Sequence, residues 1–193
     1  AARGLARTDR DRAAASVLAA LLGERWVAAI KEFQPKSTFA RHDAHNLSGT
    51  MLLGASVAPA AAAQTLEAAR TLLRSLAASQ VTAAELERAR RAALAALNER
   101  RNQPDALADN WLDAAIYNST PAEEETALNA LTAADVQRVA ARLFNDAKLA
   151  SVVVGDAAQL RNELARLSGG IEVSGASASA PATASEPVTP KRP

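Results

Sequence analysis

Apolar positions fall at helical spacing in several long stretches of this chain and at strand spacing in a few short ones, which predicts a mixed α and β fold. Thr8, with Asp9 and Asp11 after it, reads as a helix start. Ala14, Val17, Leu18, Leu21 and Leu22 then share one helical face, and Gly23 is expected to end that helix. Trp26, Val27 and Ile30 predict a second short helix, which Pro35 must stop. Strands are predicted at about 37–43 and 50–57, with Asn46 to Gly49 as the polar turn between them. The second of these, Met51 to Val57, is apolar on both faces and is therefore expected to be central in its sheet.

Pro59 suits a first helical position, and Leu66, Ala69, Leu73 and Leu76 continue an apolar stripe to about Ser79. Thr82 with Glu85 forms a capping box ahead of Leu86, Ala89, Ala93, Leu94 and Leu97, while Arg88, Arg91 and Glu99 lie on the opposite side. A helix bearing Leu107, Trp111, Leu112 and Ala115 follows Pro104, and Pro121 is read as closing it. Thr132 and Asp135 cap a helix whose core face is Val136, Val139, Ala140, Leu143 and Phe144. A strand at about 148–154 and a short helix with Leu160 and Leu164 complete the pattern. Gly169-Gly170 marks a composition change: Ser174 to Pro193 holds five Ala, four Ser and four Pro and no aromatic residue. Such a segment buries too little apolar area to offset its ordering entropy. One domain over residues 1–167 and a disordered tail over 168–193 are expected. No repeat of 20 to 50 residues stands out, which disfavours a solenoid.

A chain of 193 residues that is 49% hydrophobic can bury a core of its own. Its formal charge is only +1, which speaks against a nucleic-acid partner, and it has no cysteine for disulfides or thiolate metal sites. No apolar run has the length of a membrane span and no leader pattern opens the chain, so no membrane partner is expected. Residue 1 is alanine rather than methionine, and residues 1–7 carry no start signal, so the chain is expected to be a piece of a longer polypeptide.

The candidate chemistry is sparse. The two histidines, His42 and His45, lack further ligands nearby, and their spacing on a strand turns the rings to opposite faces; neither H-E-x-x-H nor H-x-x-E-H occurs. No metal and no catalytic residue is therefore assigned to this chain. Ser48 lies in turn chemistry rather than a nucleophile elbow, and residues 167–170 lack the spacing of a phosphate loop. Arg88, Arg90, Arg91, Arg100 and Arg101 alternate with Glu85, Glu87 and Glu99, the pattern of a salt-bridged solvent face. Trp26 and Trp111 read as core or interface anchors.

The order helix, short arm, hairpin, two long helices, Pro-bounded helix, capped helix and terminal strand resembles the C-terminal domain of the pitrilysin/insulinase family of zinc peptidases. Local matches are Leu21-Leu22-Gly23, the stretch Glu24 to Glu32, Val81 to Leu86, Leu131 to Val136, and Val152-Val153-Val154-Gly155. The similarity covers about residues 1 to 165, and the order and spacing of these motifs carry it. It implies an α+β half-domain with its sheet covered on one face by helices, its first strand, before Thr8, being mostly missing. It also implies a non-catalytic partner of an N-terminal domain or separate subunit that bears an H-x-x-E-H zinc site, expected about 200 residues upstream or in another chain, the two enclosing a peptide chamber. Zinc belongs to that other half, so no cofactor is expected here. Many relatives carry on the arm an Arg and, seven residues later, a Tyr that hold substrate. Lys31 and Thr38 stand at those positions and are the candidate substrate-contact residues. A homodimer or heterodimer fits the resemblance. So does a non-peptidase assembly subunit of processing or respiratory complexes; a stand-alone helical interaction module is the reading from another class. The Ala/Pro/Ser tail and the excess of Arg over Lys suggest a bacterial source, with a periplasmic or secreted location as in many relatives.

Overall fold

The computed structural model describes residues 1–117, 120–165, 167 and 172. In chain order its elements are β1 (Ala2–Gly4), α1 (Arg12–Ala29), β2 (Ser37–Asp43), β3 (Gly49–Ser56), α2 (Ala62–Ala78), α3 (Ala83–Arg101), α4 (Pro104–Tyr117), α5 (Pro121–Ala130), α6 (Ala133–Phe144) and α7 (Ala157–Leu164). Short 3-10 turns at Lys31–Phe33 and Pro59–Ala61 lead into β2 and α2. The tail expected from residue 168 lies, apart from Glu172, outside the described residues.

The three strands form one antiparallel sheet in the order β1-β3-β2, with Ala2 opposite Met51 and His42 also opposite Met51 on the other side. The apolar run of β3 is central, as its sequence requires. Exposure alternates along β2: Ser37, Phe39 and Arg41 face outward, while Thr38, Ala40 and His42 face the helices. On that inner face α1 packs against β2, and its other flank meets α3 and α6. The sheet is thus covered on one side, and the chain has the α+β architecture that its sequence implied.

The helix expected to end at Gly23 instead runs on to Ala29 and replaces the second short helix. Leu18, Leu22, Trp26 and Ile30 are spaced by four and all fully buried, so one continuous helix places them in a single stripe. That burial outweighs the roughly 1 kcal/mol by which glycine disfavours a helix interior. Trp26, 1% exposed, also donates its Nε1–H to the carbonyl of Gly54 at 2.9 Å, tying α1 to the central strand. The helix begins at Arg12 rather than just after Thr8, and Asp11 at its N-cap makes no capping bond. Its carboxylate instead receives Arg138 at 2.7 and 3.0 Å and Arg142 at 3.1 Å, while Asp9 receives Arg142 at 2.8 and 3.3 Å. These bonds clamp α6 onto the start of α1.

The capping boxes Thr82/Glu85 and Thr132/Asp135 form as read from the sequence. A third, Thr120/Glu123, opens α5, so Pro121 starts a helix rather than only closing the preceding one. Part of the arginine-rich face of α3 pairs across elements: Arg88 with Glu24 of α1 at 2.7 Å, Arg100 with Glu124 at 3.5 Å and Arg101 with Glu125 of α5 at 2.9 Å.

The strand expected at 148–154 does not form a ladder. Leu149 packs on the core while Lys148 and Ala150 are exposed, and Val153 is 37% exposed between Val152 at 85% and Val154 at 92%, which is strand-like alternation. Ala150 exchanges both backbone hydrogen bonds with Ala1, at 2.8 and 3.0 Å. No described strand runs beside residues 151–154, so the pattern lacks the neighbour that a ladder needs. Next to Ala1, the first strand is present as the three residues of β1.

Candidate functional site

The arm between α1 and β2 is built by a helix that runs out of apolar stripe at Ile30 and by Pro35, which cannot continue it. Lys31 to Phe33 make one 3-10 turn, closed by Gln34 in the left-handed conformation at φ 48°. The chain then enters the sheet, where the Lys36 N–H donates to the Ser56 carbonyl at 2.8 Å. Lys31 is exposed on this turn, and its ammonium has no hydrogen-bond or salt-bridge partner among the described residues. Thr38 lies on the inner face of β2, half-buried and opposite Ala55. The two candidate residues are therefore not joined by any hydrogen bond, and they present a solvated cation and a helix-facing hydroxyl. Beside the turn, Glu32, Phe33, Gln64 and Glu67 line a shallow depression of ≈ 550 Å³.

Among the described residues no helix covers the outer sheet face. Phe39 is 52% exposed and lies over Gly54, where a Cβ would fall 2.4 Å from the ring and push it aside. The Arg41 guanidinium sits 5.9 Å from the Phe39 ring centroid and pairs with Asp43 at 3.0 Å. This face offers an aromatic ring and a cation paired with a carboxylate.

A second exposed region is α4. Two of its polar residues turn inward: Asp113 pairs with Arg7, and Tyr117 bonds to Asn46 and lies under the Arg7 guanidinium, 5.5 Å from its ring centroid. Leu107, Trp111, Leu112 and Ile116 are left on the outside, from 53% to 72% exposed. Helical periodicity finds this stripe but does not say which side of the helix meets the rest of the chain, and here Asp113 and Tyr117 make that contact. Trp26 is a core anchor and Trp111 a surface one.

The two histidines do not converge. His42 Nε2 accepts the Leu5 N–H at 3.0 Å, and His45 lies exposed beyond the end of β2. Among the described residues no group of three or more His, Asp or Glu side chains stands where it could hold a metal ion. With one ring nitrogen engaged by the backbone and no third ligand at hand, these residues do not fit a zinc site. No described helix is long and apolar enough to cross a membrane.

Comparison with known proteins agrees with this picture. The family model described as the peptidase M16 inactive domain matches residues 1–93. No curated protein matches the sequence. Among solved structures, an inactive peptidase domain from Bordetella parapertussis shares 19% identity at a TM-score of 0.64, over 76% of this chain and 84% of that one. A chain of complex III2 from Candida albicans is 14% identical at a TM-score of 0.67, over 74% of this chain and 38% of that one. The periplasmic protease PqqL from Escherichia coli is 19% identical at a TM-score of 0.58, over 75% of this chain and 17% of that one. The chain thus spans well under half of the two longer relatives. Residues 1–93 thus match the model of the peptidase M16 inactive domain, and about three quarters of the chain shares the fold of a solved inactive peptidase domain.

Proposed function

We propose that this chain is the accessory half of a zinc metalloendopeptidase, which packs against a zinc-bearing half and shapes part of the chamber that encloses a peptide. The match to an inactive domain carries this reading. One feature of the chain supports it: an apolar stripe on α4 that is left exposed. Zinc would then be supplied by the other half. The likeness to a periplasmic protease supports a periplasmic location. A second reading, a non-peptidase assembly subunit, is favoured by the likeness to a complex III2 chain. Peptide hydrolysis by the assembled protein separates the two.

Lys31 and Thr38 are proposed to touch substrate without taking part in the chemistry. A lysine lacks the planar fork of arginine and a threonine lacks a phenol, so neither supplies the bidentate brace that stabilises a tetrahedral intermediate. In steady-state kinetics of the assembled enzyme, Lys31→Ala and Thr38→Ala are each expected to change kcat by less than about tenfold, against about 100-fold or more for loss of a transition-state donor. A 100-fold fall for Lys31→Ala with folding intact would make the arm catalytic.

A further inference from the structure

The His42 imidazole is a half-buried titratable group that the proposed function does not use. It stands on the inner face of β2 near the end of the β2–β3 hairpin, and its Nε2 accepts the N–H of Leu5 at 3.0 Å. Accepting that bond needs a free lone pair on Nε2, so the ring is neutral with its proton on Nδ1. The ring lies flush on two glycines. A Cβ on Gly4 would come 2.8 Å from its Cδ2, and one on Gly49 would come 2.9 Å from Nε2 itself. Leu5 is 4% exposed, so its N–H has no ready alternative in water.

The same segment continues the attachment. Two residues on, the Arg7 N–H donates to the His45 carbonyl at 2.8 Å, and the Arg7 guanidinium holds Asp113 and covers Tyr117 of α4. Tyr117 in turn bonds to Asn46 of the hairpin turn. Residues 4–7 therefore lace the hairpin end to the helix whose apolar face is exposed. From these contacts we infer that His42 is a proton-operated clasp: protonating its imidazole releases the Leu5 end of residues 5–7 from the hairpin and loosens the Arg7 anchor of α4.

The chemistry follows from the donor count. A second ring proton converts Nε2 from acceptor to donor, so two N–H groups face each other and the bond to Leu5 is lost. After burial, the Leu5 contact weighs most and counts toward the charged ring, yet a backbone N–H that donates to Nε2 can serve only the neutral one, and the donor geometry decides; Asp43 favours the charged ring, whereas Arg12 of α1 and His45 disfavour it. Arg12 also approaches the Arg7 carbonyl at 3.3 Å and Glu124 of α5 at 3.8 Å, so it is held close to this corner. Desolvation by burial is the largest influence and pushes the imidazole below its ordinary value. The folded state thus needs the neutral ring and the unfolded state takes the proton first. Stability drawn from the clasp is full above the ordinary histidine pKa of about 6.5 and falls as pH drops below it.

The test is amide exchange by NMR on the whole chain at pH 7.5 and pH 5.0, corrected for intrinsic rates, with Leu18 as the core reference. Protection at Leu5 and Arg7 is expected to fall about tenfold or more relative to Leu18, the scale of one lost hydrogen bond. His42→Gln keeps an acceptor oxygen without a titrating group, and in it the fall is expected to vanish. Should that variant not fold, the wild type decides alone: the imidazole nitrogen shifts and Leu5 exchange must share one midpoint, below about 6.5. Protection at Leu5 that does not change with pH, that falls equally in His42→Gln, or whose midpoint departs from the His42 titration would overturn the clasp.

Discussion

Trp26→Ala is expected to destabilise the fold by about 4 to 5 kcal/mol, the upper part of the range for emptying a buried aromatic site. Trp26 is the largest fully buried side chain, in line with Leu18, Leu22 and Ile30 on α1. Removing it leaves a cavity between helix and sheet and deletes the indole bond to the Gly54 carbonyl. A domain of this size is typically stable by about 5 to 15 kcal/mol, so this one change removes a large share. Trp26→Phe keeps most of the volume and loses the bond, and about 1 to 3 kcal/mol is expected. Urea unfolding followed by circular dichroism measures both. A cost below about 1 kcal/mol for Trp26→Ala would mean that α1 does not depend on this contact with β3.

Asp11→Ala is expected to cost about 2 to 3 kcal/mol, because it leaves two guanidinium groups facing the start of α1 without their shared carboxylate. Asp11 is 6% exposed while the Arg138 and Arg142 side chains are each 49% exposed, so solvent screens part of the loss. The hydrogen bond from Arg138 is the largest influence on Asp11, and the one from Arg142 on Asp9; both hold the carboxyl below its ordinary value. A lowered folded pKa contributes stability that is complete above the unfolded carboxylate value of about 3.9 and is lost as pH falls through the folded one. Thermal melts from pH 7 to pH 2 should therefore show an acid limb below about pH 4 that is shallower in Asp11→Asn. An unchanged acid limb in Asp11→Asn would place the acid sensitivity elsewhere.

Local grammar was the most legible part of the fold. The boxes at Thr82/Glu85 and Thr132/Asp135 could be read because all the atoms involved lie within one turn. Thr120 and Glu123 follow the same rule, and the third box was missed only because Pro121 was read as a stop rather than as a first helical residue. Gly23 misled for another reason: whether a glycine ends a helix depends on what the next two turns bury, and Trp26 and Ile30 are both fully buried, with Trp26 bonded to Gly54 of β3. Long-range pairs were out of reach. Arg138 and Asp11 are 127 residues apart, and His42 reaches Leu5 across 37, with nothing in the spacing to join them. For the candidate site, the sequence could not tell that α4 turns Asp113 and Tyr117 inward and Trp111 outward. Periodicity marks an apolar stripe and is silent on whether the chain itself or a partner covers it.

The central claim is that this chain is a non-catalytic half whose chemistry resides in another half. It is tested most directly by mixing the purified chain with the zinc-bearing half and measuring complex mass, zinc content and peptide hydrolysis on the same samples. The expected result is a complex containing both halves, zinc only in the other half, and hydrolysis in the complex but not in this chain alone. Failure to associate, or stoichiometric zinc on this chain that is lost when His42 and His45 are both replaced, would contradict it.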